Sequence, residues 1–298
     1  MKRCFIPIVF LLILVGTAWT AEAGPPADCP EYVRVMSFNI RYNTSADGKN
    51  AWPHRKDIAA SMIRFHRADV VGLQEALLGQ NRDLAERLPD YEWLGVGRED
   101  GKKGGEFSSI FYRKDRLELL QHDTFWLSST PQKVGSKGWD AVCRRIVTWA
   151  KFRDRRTGRV FYHFNTHFDH RGQTARKESA KLMLSRIPQI AGEAPAVVTG
   201  DFNCTPDSEP YQILTGSDES EPLIDAFHAS IQPHHGPTDT FGGFGPPDTP
   251  GDRIDYVFVR EGIQVIQHGI LADHWDGRYP SDHLPVLAEV EIPSDEKR

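Results

Sequence analysis

Residues 196–203 read AVVTGDFN, a run of small and β-branched residues that stops at Gly200 and then delivers two polar side chains, Asp201 and Asn203. Val197, Val198 and Thr199 suit a buried strand, and Gly200 lets the backbone bend as the strand ends. In extended backbone, positions 201 and 203 point to the same side. A charged acceptor beside a neutral amide suits a site that activates water and stabilises developing negative charge. Asp and Asn after a glycine also suit a turn in which they bond only to their own backbone. The rest of the chain has to decide between the two.

Working outward, the same design recurs: an apolar strand that ends in polar residues. Residues 33–38 (VRVMSF) alternate and end at Asn39-Ile40-Arg41, with Ser37, Asn39 and Arg41 on one face. Residues 69–73 (DVVGL) stop at Gln74-Glu75. A carboxylate there is expensive to bury alone, so Glu75 is either at the surface or on a cation. Residues 160–167 (VFYHFNTH) bring His163, Asn165 and His167 to one face; a strand-end histidine serves either as a hydrogen-bonded neutral imidazole or as a catalyst. Residues 254–259 (IDYVFV) put Asp255, Val257 and Val259 together, and Ser281-Asp282-His283 precedes a last strand over 286–292. The pattern predicts further strands over 91–96, 108–112, 125–127 and 145–152, and helices over 53–67, 79–88 and 174–190. The charged, glycine-rich stretch 98–105 is expected to be a mobile surface loop. Residues 207–250 are expected to be loops with one short helix near 211–214.

The N-terminus has a basic start, an apolar run from Cys4 to Val15 and an Ala21-Glu22-Ala23 cleavage pattern, which is the layout of a signal peptide and implies a secreted or periplasmic protein. Cleavage after Ala23 leaves 275 of the 298 residues, read as one domain over 24–298. The net charge of −5 gives no global attraction for polyanions, although a local basic groove remains compatible with it. Cys29, Cys143 and Cys204 have no metal-ligand spacing, and an odd number cannot pair completely.

Polar clusters thus stand at six strand ends: Asn39, Glu75, Asn165 with His167, Asp201 with Asn203, Asp255, and Asp282 with His283. Strand ends along one sheet edge converge, so one site is expected. Oxygen ligands from Glu75, Asp282 and Asn39 suit Mg2+, Mn2+ or Ca2+. No HExxH or CxxC supports zinc, and Ser281-Asp282-His283 cannot form a hydrolase triad because the three are adjacent.

The segments SFNIR, LQE, NTH, GDFN, RIDYVFV and SDH occur in the order and near the spacing of the endonuclease/exonuclease/phosphatase superfamily, which the chain resembles from about Val33 to Ile292. Its members include deoxyribonuclease I, AP endonucleases, inositol polyphosphate 5-phosphatases, bacterial sphingomyelinases and deadenylases. The resemblance implies a deoxyribonuclease I-like fold of the α/β (α+β) class, a four-layer α/β/β/α sandwich with one site at one end of the sheets. It implies Glu75 as main metal ligand with Asn39 and Asp282 nearby, and Mg2+ as cofactor. It implies Asp201 on the attacking water, Asn203 and His167 on the phosphoryl oxygens, and Asp255 fixing the tautomer of His283. Either Asp201 or His283 suits the general base. Arg41, two residues after Asn39, resembles the deoxyribonuclease I pattern. GEFSSIFYR, FWLSSTP, RRIVTWAKF and NTHFDHRGQTAR look most like secreted bacterial members, which makes Arg145, Arg171 and Arg176 candidate phosphate contacts beside Asn165. The implied activity is hydrolysis of a phosphoester, a diester or a monoester, on a small molecule, lipid head group or nucleic acid, by a monomer with no obligate protein partner. A nuclease would need a basic groove and a sphingomyelinase an exposed aromatic loop, for which Trp52, Trp275 and 241–244 are the candidates. A binding module that keeps the fold without catalysis is the reading from a different class.

Overall fold

Along the inward-facing positions of the central strands, side chains change from apolar to polar in one direction, and this gradient organises the molecule. The computed structural model describes residue 1 and residues 31–216, 221–245 and 251–294. The expected signal peptide and Cys29 lie outside the described residues.

The first sheet contains β1 (Val33–Asn39), β2 (Val70–Gln74), β3 (Tyr91–Leu94) and β4 (Ile110–Arg113), to which the C-terminal pair will add. Between β1 and β2 runs α1 (Lys56–Phe65), and between β2 and β3 runs α2 (Leu78–Arg87). The second sheet begins with β5 (Leu117–Trp126), β6 (Ile146–Asp154) and β7 (Val160–His167), followed by α3 (Gln173–Ala191) and β8 (Ala196–Asp201). Then come α4 (Glu209–Thr215), β9 (Ile224–Asp225), α5 (Ala226–Ala229) and β10 (Asp255–Val259). The chain closes the first sheet with β11 (Gln264–Ile270) and β12 (Val286–Glu291). Strand order is β11-β12-β1-β2-β4-β3 in one sheet and β5-β6-β7-β8-β10-β9 in the other.

Three apolar layers follow from strand alternation. Val33, Val35 and Val70 of one sheet meet Phe152, Phe161, Val197 and Val257 of the other in the central layer. Met36, Phe38 and Leu73 face outward onto Met62 and Ile63 of α1 and Leu84 of α2. Phe164, Val198 and Phe258 face outward onto Ala180, Met183 and Ile187 of α3. Two mixed sheets therefore lie between helical layers, the α/β sandwich expected.

The elements differ from expectation mainly at their ends. The first helix starts at Lys56, because Trp52–His54 forms a separate 3-10 turn. The strand expected over 125–127 is ten residues long and starts at Leu117, since pairing with β6 supplies order that its exposed middle residues do not signal. β11 has only weak alternation and was not foreseen; pairing with β12 makes it a strand.

Deeper along the inner faces the central layer turns polar. Asn165 is fully buried there and uses all of its hydrogen-bonding capacity. Its Nδ2 donates to the carbonyls of Leu73 (2.9 Å) and Ser109 (3.0 Å). Its Oδ1 accepts from Gln74 Nε2 (2.7 Å) and Thr199 Oγ1 (3.0 Å). Gly72 makes room for this network: a Cβ at position 72 would lie 2.1 Å from Thr199 Oγ1 and 2.4 Å from Asn165 Oδ1. Asn165 therefore ties one sheet to the other and does not reach a substrate, which corrects its expected role.

Candidate active site

Register brings the strand ends together. Parallel pairing of β7 with β8 sets His167 beside Asp201, and antiparallel pairing of β8 with β10 sets Asp201 opposite Asp255. Parallel pairing of β1 with β2 sets Asn39 beside Gln74, so Glu75 follows at the same edge. Just past these ends the backbone is left-handed at Arg41 (φ 54°), Glu75 (φ 62°) and Asn203 (φ 48°). Such residues, when not glycine, are held by their surroundings and cluster at functional sites. Arg41 therefore leaves the face of Ser37 and Asn39, and Asn203 is not extended beside Asp201, two departures from the simple alternation read in the sequence.

Asp201 is the hub, at 1 % exposure. Its Oδ2 accepts from Asn39 Nδ2 at 2.9 Å and lies 3.3 Å from His167 Nε2 and 3.9 Å from His283 Nε2. Its Oδ1 accepts the Asn203 backbone N–H at 3.0 Å. On the other side of the His283 ring, Nδ1 meets Asp255 Oδ2 at 2.8 Å. Burial opposes charge on His283, but Asp255, then Asp201 and Asp282, override it and raise its pKa to about 10. Burial, reinforced by Arg145 and Arg98, holds His167 well below its ordinary value. Burial and the nearby Asp255 push Asp201 up to about 7. The two histidines beside Asp201 are thus pushed in opposite directions, His283 toward its charged form and His167 toward its neutral form.

Asp201, Asp255 and His283 offer ligand atoms within 4.8 Å of one another. His283 and Asp255 are committed to each other, whereas the oxygens of Glu75, Asp282 and Asn39, which also accept from the Tyr42 and Arg41 backbone and from Asn39 Nδ2, are the donor type that suits a hard divalent cation. Glu75 and Asp282 converge on the Arg41 guanidinium, at 4.0 and 3.8 Å. Burial raises the Asp282 pKa; His283 and Arg41 work against this, and Glu75 adds to it. A cation between two such carboxylates relieves their repulsion. Buried Arg55 fixes this corner by donating to the carbonyls of Ile40, Arg41 and Pro280, which joins the end of β1 to the loop carrying Asp282.

The facing wall is basic. Arg145 is 4 % exposed; its Nη2 meets His170 Nδ1 at 3.0 Å and its Nε lies 3.6 Å from Asp169. Arg145 Nε and Nη1 and His167 Nδ1 have no hydrogen-bond partner. Arg98 Nη1 pairs with Glu106 Oε2 at 2.6 Å. Cys143, Asp169 and His170 also form a compact group. Burial disfavours the Asp169 carboxylate, yet backbone N–H groups of Gly172, Cys143, Arg171 and Val142 pull its pKa to about 2, so it serves as a loop anchor.

Arg41, Glu75, Arg145, His167, Asp201, Asn203, Asp282 and His283 line one cleft of about 440 Å³. Asn39 and Asp255 stand behind it on Asp201 and His283. Asn203 Nδ2 donates to the Phe168 carbonyl at 3.0 Å, which leaves its second hydrogen for a ligand. Arg176 donates to the Asp169 carbonyl and lines an adjoining chamber of about 510 Å³ instead. Arg171 is exposed and lines neither space. A larger concavity of about 860 Å³ beside Arg260 brings no comparable groups together.

Arg98, Cys143 and His170 also line the cleft without having been singled out as site residues, as does Phe241, expected only as part of an aromatic loop. The loop that carries Arg98, expected to be mobile, is closed by its own backbone bonds: Arg98 to Glu106 and Glu99 to Gly104, each 3.0 Å. Its signal was the charged pair flanking a glycine-rich turn. Phe241 packs on His283 with ring centroids 4.8 Å apart, whereas Trp52 is buried and donates to Asp83. Cys143 and Cys204 are both free thiols.

Against known proteins, the pattern of the Endonuclease/Exonuclease/phosphatase family matches residues 36–283. The chain belongs to that family. An endonuclease/exonuclease/phosphatase from Bacteroides vulgatus has a similar structure, with 44 % identity, a TM-score of 0.83, and coverage of 88 % of this chain and 99 % of that one. A Bacteroides thetaiotaomicron mannosyl-6-phosphatase is 38 % identical with a TM-score of 0.83, over 87 % of this chain and 99 % of that one. Among curated relatives, Drosophila melanogaster nocturnin is 28 % identical over 62 % of this chain, a match that spans only 31 % of nocturnin. As a member of this family, the chain is a hydrolase of phosphoester bonds.

Proposed function

We propose that the protein is an exported, divalent-cation-dependent phosphomonoesterase whose substrate is a sugar phosphate. The observation that carries the monoester reading is Arg145, buried at the cleft wall with no hydrogen bond at Nε or Nη1, its Nε 3.6 Å from Asp169 and Arg98 on the same wall. A phosphomonoester carries close to two negative charges at neutral pH, and a diester carries one. The Arg145 guanidinium, flanked by the Arg98–Glu106 ion pair, which is neutral in sum, favours the dianion. The 38 % identical mannosyl-6-phosphatase supports a sugar as the alcohol, and residues 1–23 support export.

Glu75, Asp282 and Asn39 would hold the cation, which supplies charge neutralisation for the phosphoryl group and its leaving oxygen. Asp201 orients water toward phosphorus and accepts its proton. Asn39 and the Asn203 backbone fix that carboxylate. Arg145, His167 and the free Asn203 N–H stabilise charge on the phosphoryl oxygens. His283, held by Asp255, adds positive charge beside Asp201. The water oxygen bonds to phosphorus as the bond to the sugar oxygen breaks, one water proton passing to Asp201 and one proton returning, from Asp201 or solvent, to the sugar oxygen, which gives free sugar and hydrogen phosphate.

The test is a panel in Mg2+ with an EDTA control. Mannose 6-phosphate is expected to be hydrolysed with at least a hundredfold greater kcat/KM than bis-p-nitrophenyl phosphate, and EDTA to abolish both rates. A profile restricted to diesters contradicts the proposal.

A further inference from the structure

A cleft built for a dianion gains nothing from a buried carboxylate, yet Glu106 lines it. Its side chain is 18 % exposed, and it shares the cleft wall with Arg98, Arg145 and His167. Oε2 is occupied by the 2.6 Å bond from Arg98 Nη1. Oε1 has no hydrogen bond and is not among the buried unpaired atoms, so it keeps solvent access on a residue that lines the cleft. The loop that presents Glu106 is rigidly tied: Trp126 Nε1 donates to the Arg98 carbonyl at 2.8 Å, and Arg144 pairs with Glu99 at 2.6 Å. A side chain meant only to stay out of the way would not need that support.

Two ligand chemistries explain a carboxylate in this position: a metal ion or hydroxyl groups. A second cation is disfavoured, because Arg98 already neutralises Glu106 and Arg145 stands on the same wall. Hydroxyl groups are favoured by the same facts. The ion pair removes net repulsion toward phosphate while it leaves one carboxylate oxygen as a strong acceptor and further guanidinium N–H groups as donors.

We propose that Glu106, positioned by Arg98, is the specificity residue that reads hydroxyl groups on the leaving alcohol and so selects a polyhydroxylated phosphomonoester. This rests on the phosphomonoesterase reading above. A carboxylate acceptor left without its hydroxyl partner penalises alcohols that lack one, which is how polar sites reject apolar isosteres.

The experiment compares mannose 6-phosphate with cyclohexylmethyl phosphate, which has a similar ring and a primary alkyl ester but no ring hydroxyl. Wild-type protein is expected to prefer the sugar phosphate, and Glu106→Ala to reduce that preference about thirtyfold, mainly through KM. Glu106→Gln, which keeps shape and one acceptor, should recover part of it. Equal losses on both substrates would mean that Glu106 only supports the loop, and would overturn the proposal; so would no change on either. Binding of mannose 6-phosphate by calorimetry in EDTA, without turnover, separates the two readings. If wild type hydrolyses neither ester, the phosphomonoesterase reading fails. Weaker sugar-phosphate binding in Glu106→Ala still supports hydroxyl recognition, and unchanged binding refutes it. Mg2+ titration in the same instrument, showing two wild-type sites and one in Glu106→Ala, would assign Glu106 to a cation and refute the proposal.

Discussion

The inner faces of the two sheets carry two polar regions a single strand-step apart, and they do opposite things. The inner one contains Ser37, Gly72, Gln74, His163, Asn165 and Thr199; the outer one contains Asn39, Glu75, His167, Asp201 and Asp255. On β1, β7 and β8 the two regions are two residues apart on one alternating face, at Ser37 and Asn39, Asn165 and His167, and Thr199 and Asp201; Glu75 directly follows Gln74, just past the end of β2, and β10 adds Asp255 to the outer region. The inner region is neutral and closed, its amides and hydroxyls bonded to one another. The outer region is charged and opens to the cleft. Two residues along a strand separate a tie between sheets from a reaction site. Depth, rather than residue type, makes that distinction.

If the comparison holds, variants in the outer region remove rate and keep stability, while variants in the inner region do the reverse. The largest effect is expected from His283→Ala, with kcat at least a thousandfold lower and Tm within a few degrees of wild type, read by phosphate release and calorimetry. Arg145→Ala comes next, with kcat/KM for a phosphomonoester about a hundredfold lower and a smaller loss for a diester. Comparable losses on both esters would blunt the monoester argument. In the inner region, Gly72→Ala forces a methyl onto Thr199 and Asn165; a loss of about 3 kcal/mol, or roughly 8 °C in Tm, is expected with kcat of the folded protein nearly unchanged.

The smallest effect is on acid stability. Burial pulls the His163 pKa down to about 3. Below its ordinary value of about 6.5 the unfolded chain binds a proton that the folded chain refuses, so this contribution to stability falls as pH drops from about 6.5 toward 3. Between pH 6.5 and 4.5 the loss is about 2 kcal/mol. His163→Gln should flatten that slope by one proton in urea titrations at the two pH values; an unchanged slope would show that His163 is accessible to protons when folded.

Sequence carried the outer region well, because charge at the end of an apolar strand is conspicuous: Glu75, Asp201 and Asp255 could hardly be core. It carried the layers too, since alternation along 33–38, 160–167 and 254–259 names both faces of each strand. It did not distinguish Asn165 from His167. The two share a face, and only the pairing of Asn165 with Leu73, Ser109, Gln74 and Thr199 across the gap reveals its depth. Arg171 and Arg176 failed as cleft residues because charge in a loop does not report direction. The left-handed backbone at Arg41 and Glu75 was illegible as well, since neither residue type favours that conformation. Arg98 was hidden in a stretch whose glycines suggested mobility, where backbone bonds instead close a turn.

The central claim is that Asp201, the buried hub of the outer region, is there for chemistry and not for the fold. The direct test is phosphate release from mannose 6-phosphate in Mg2+ by wild type and Asp201→Asn, with Tm measured on the same preparations. Asp201→Asn is expected to lose at least three orders of magnitude in kcat while melting at or above the wild-type temperature, because a buried carboxyl has been replaced by a neutral isostere. A variant that melts much lower, or turns over at the wild-type rate, would contradict it.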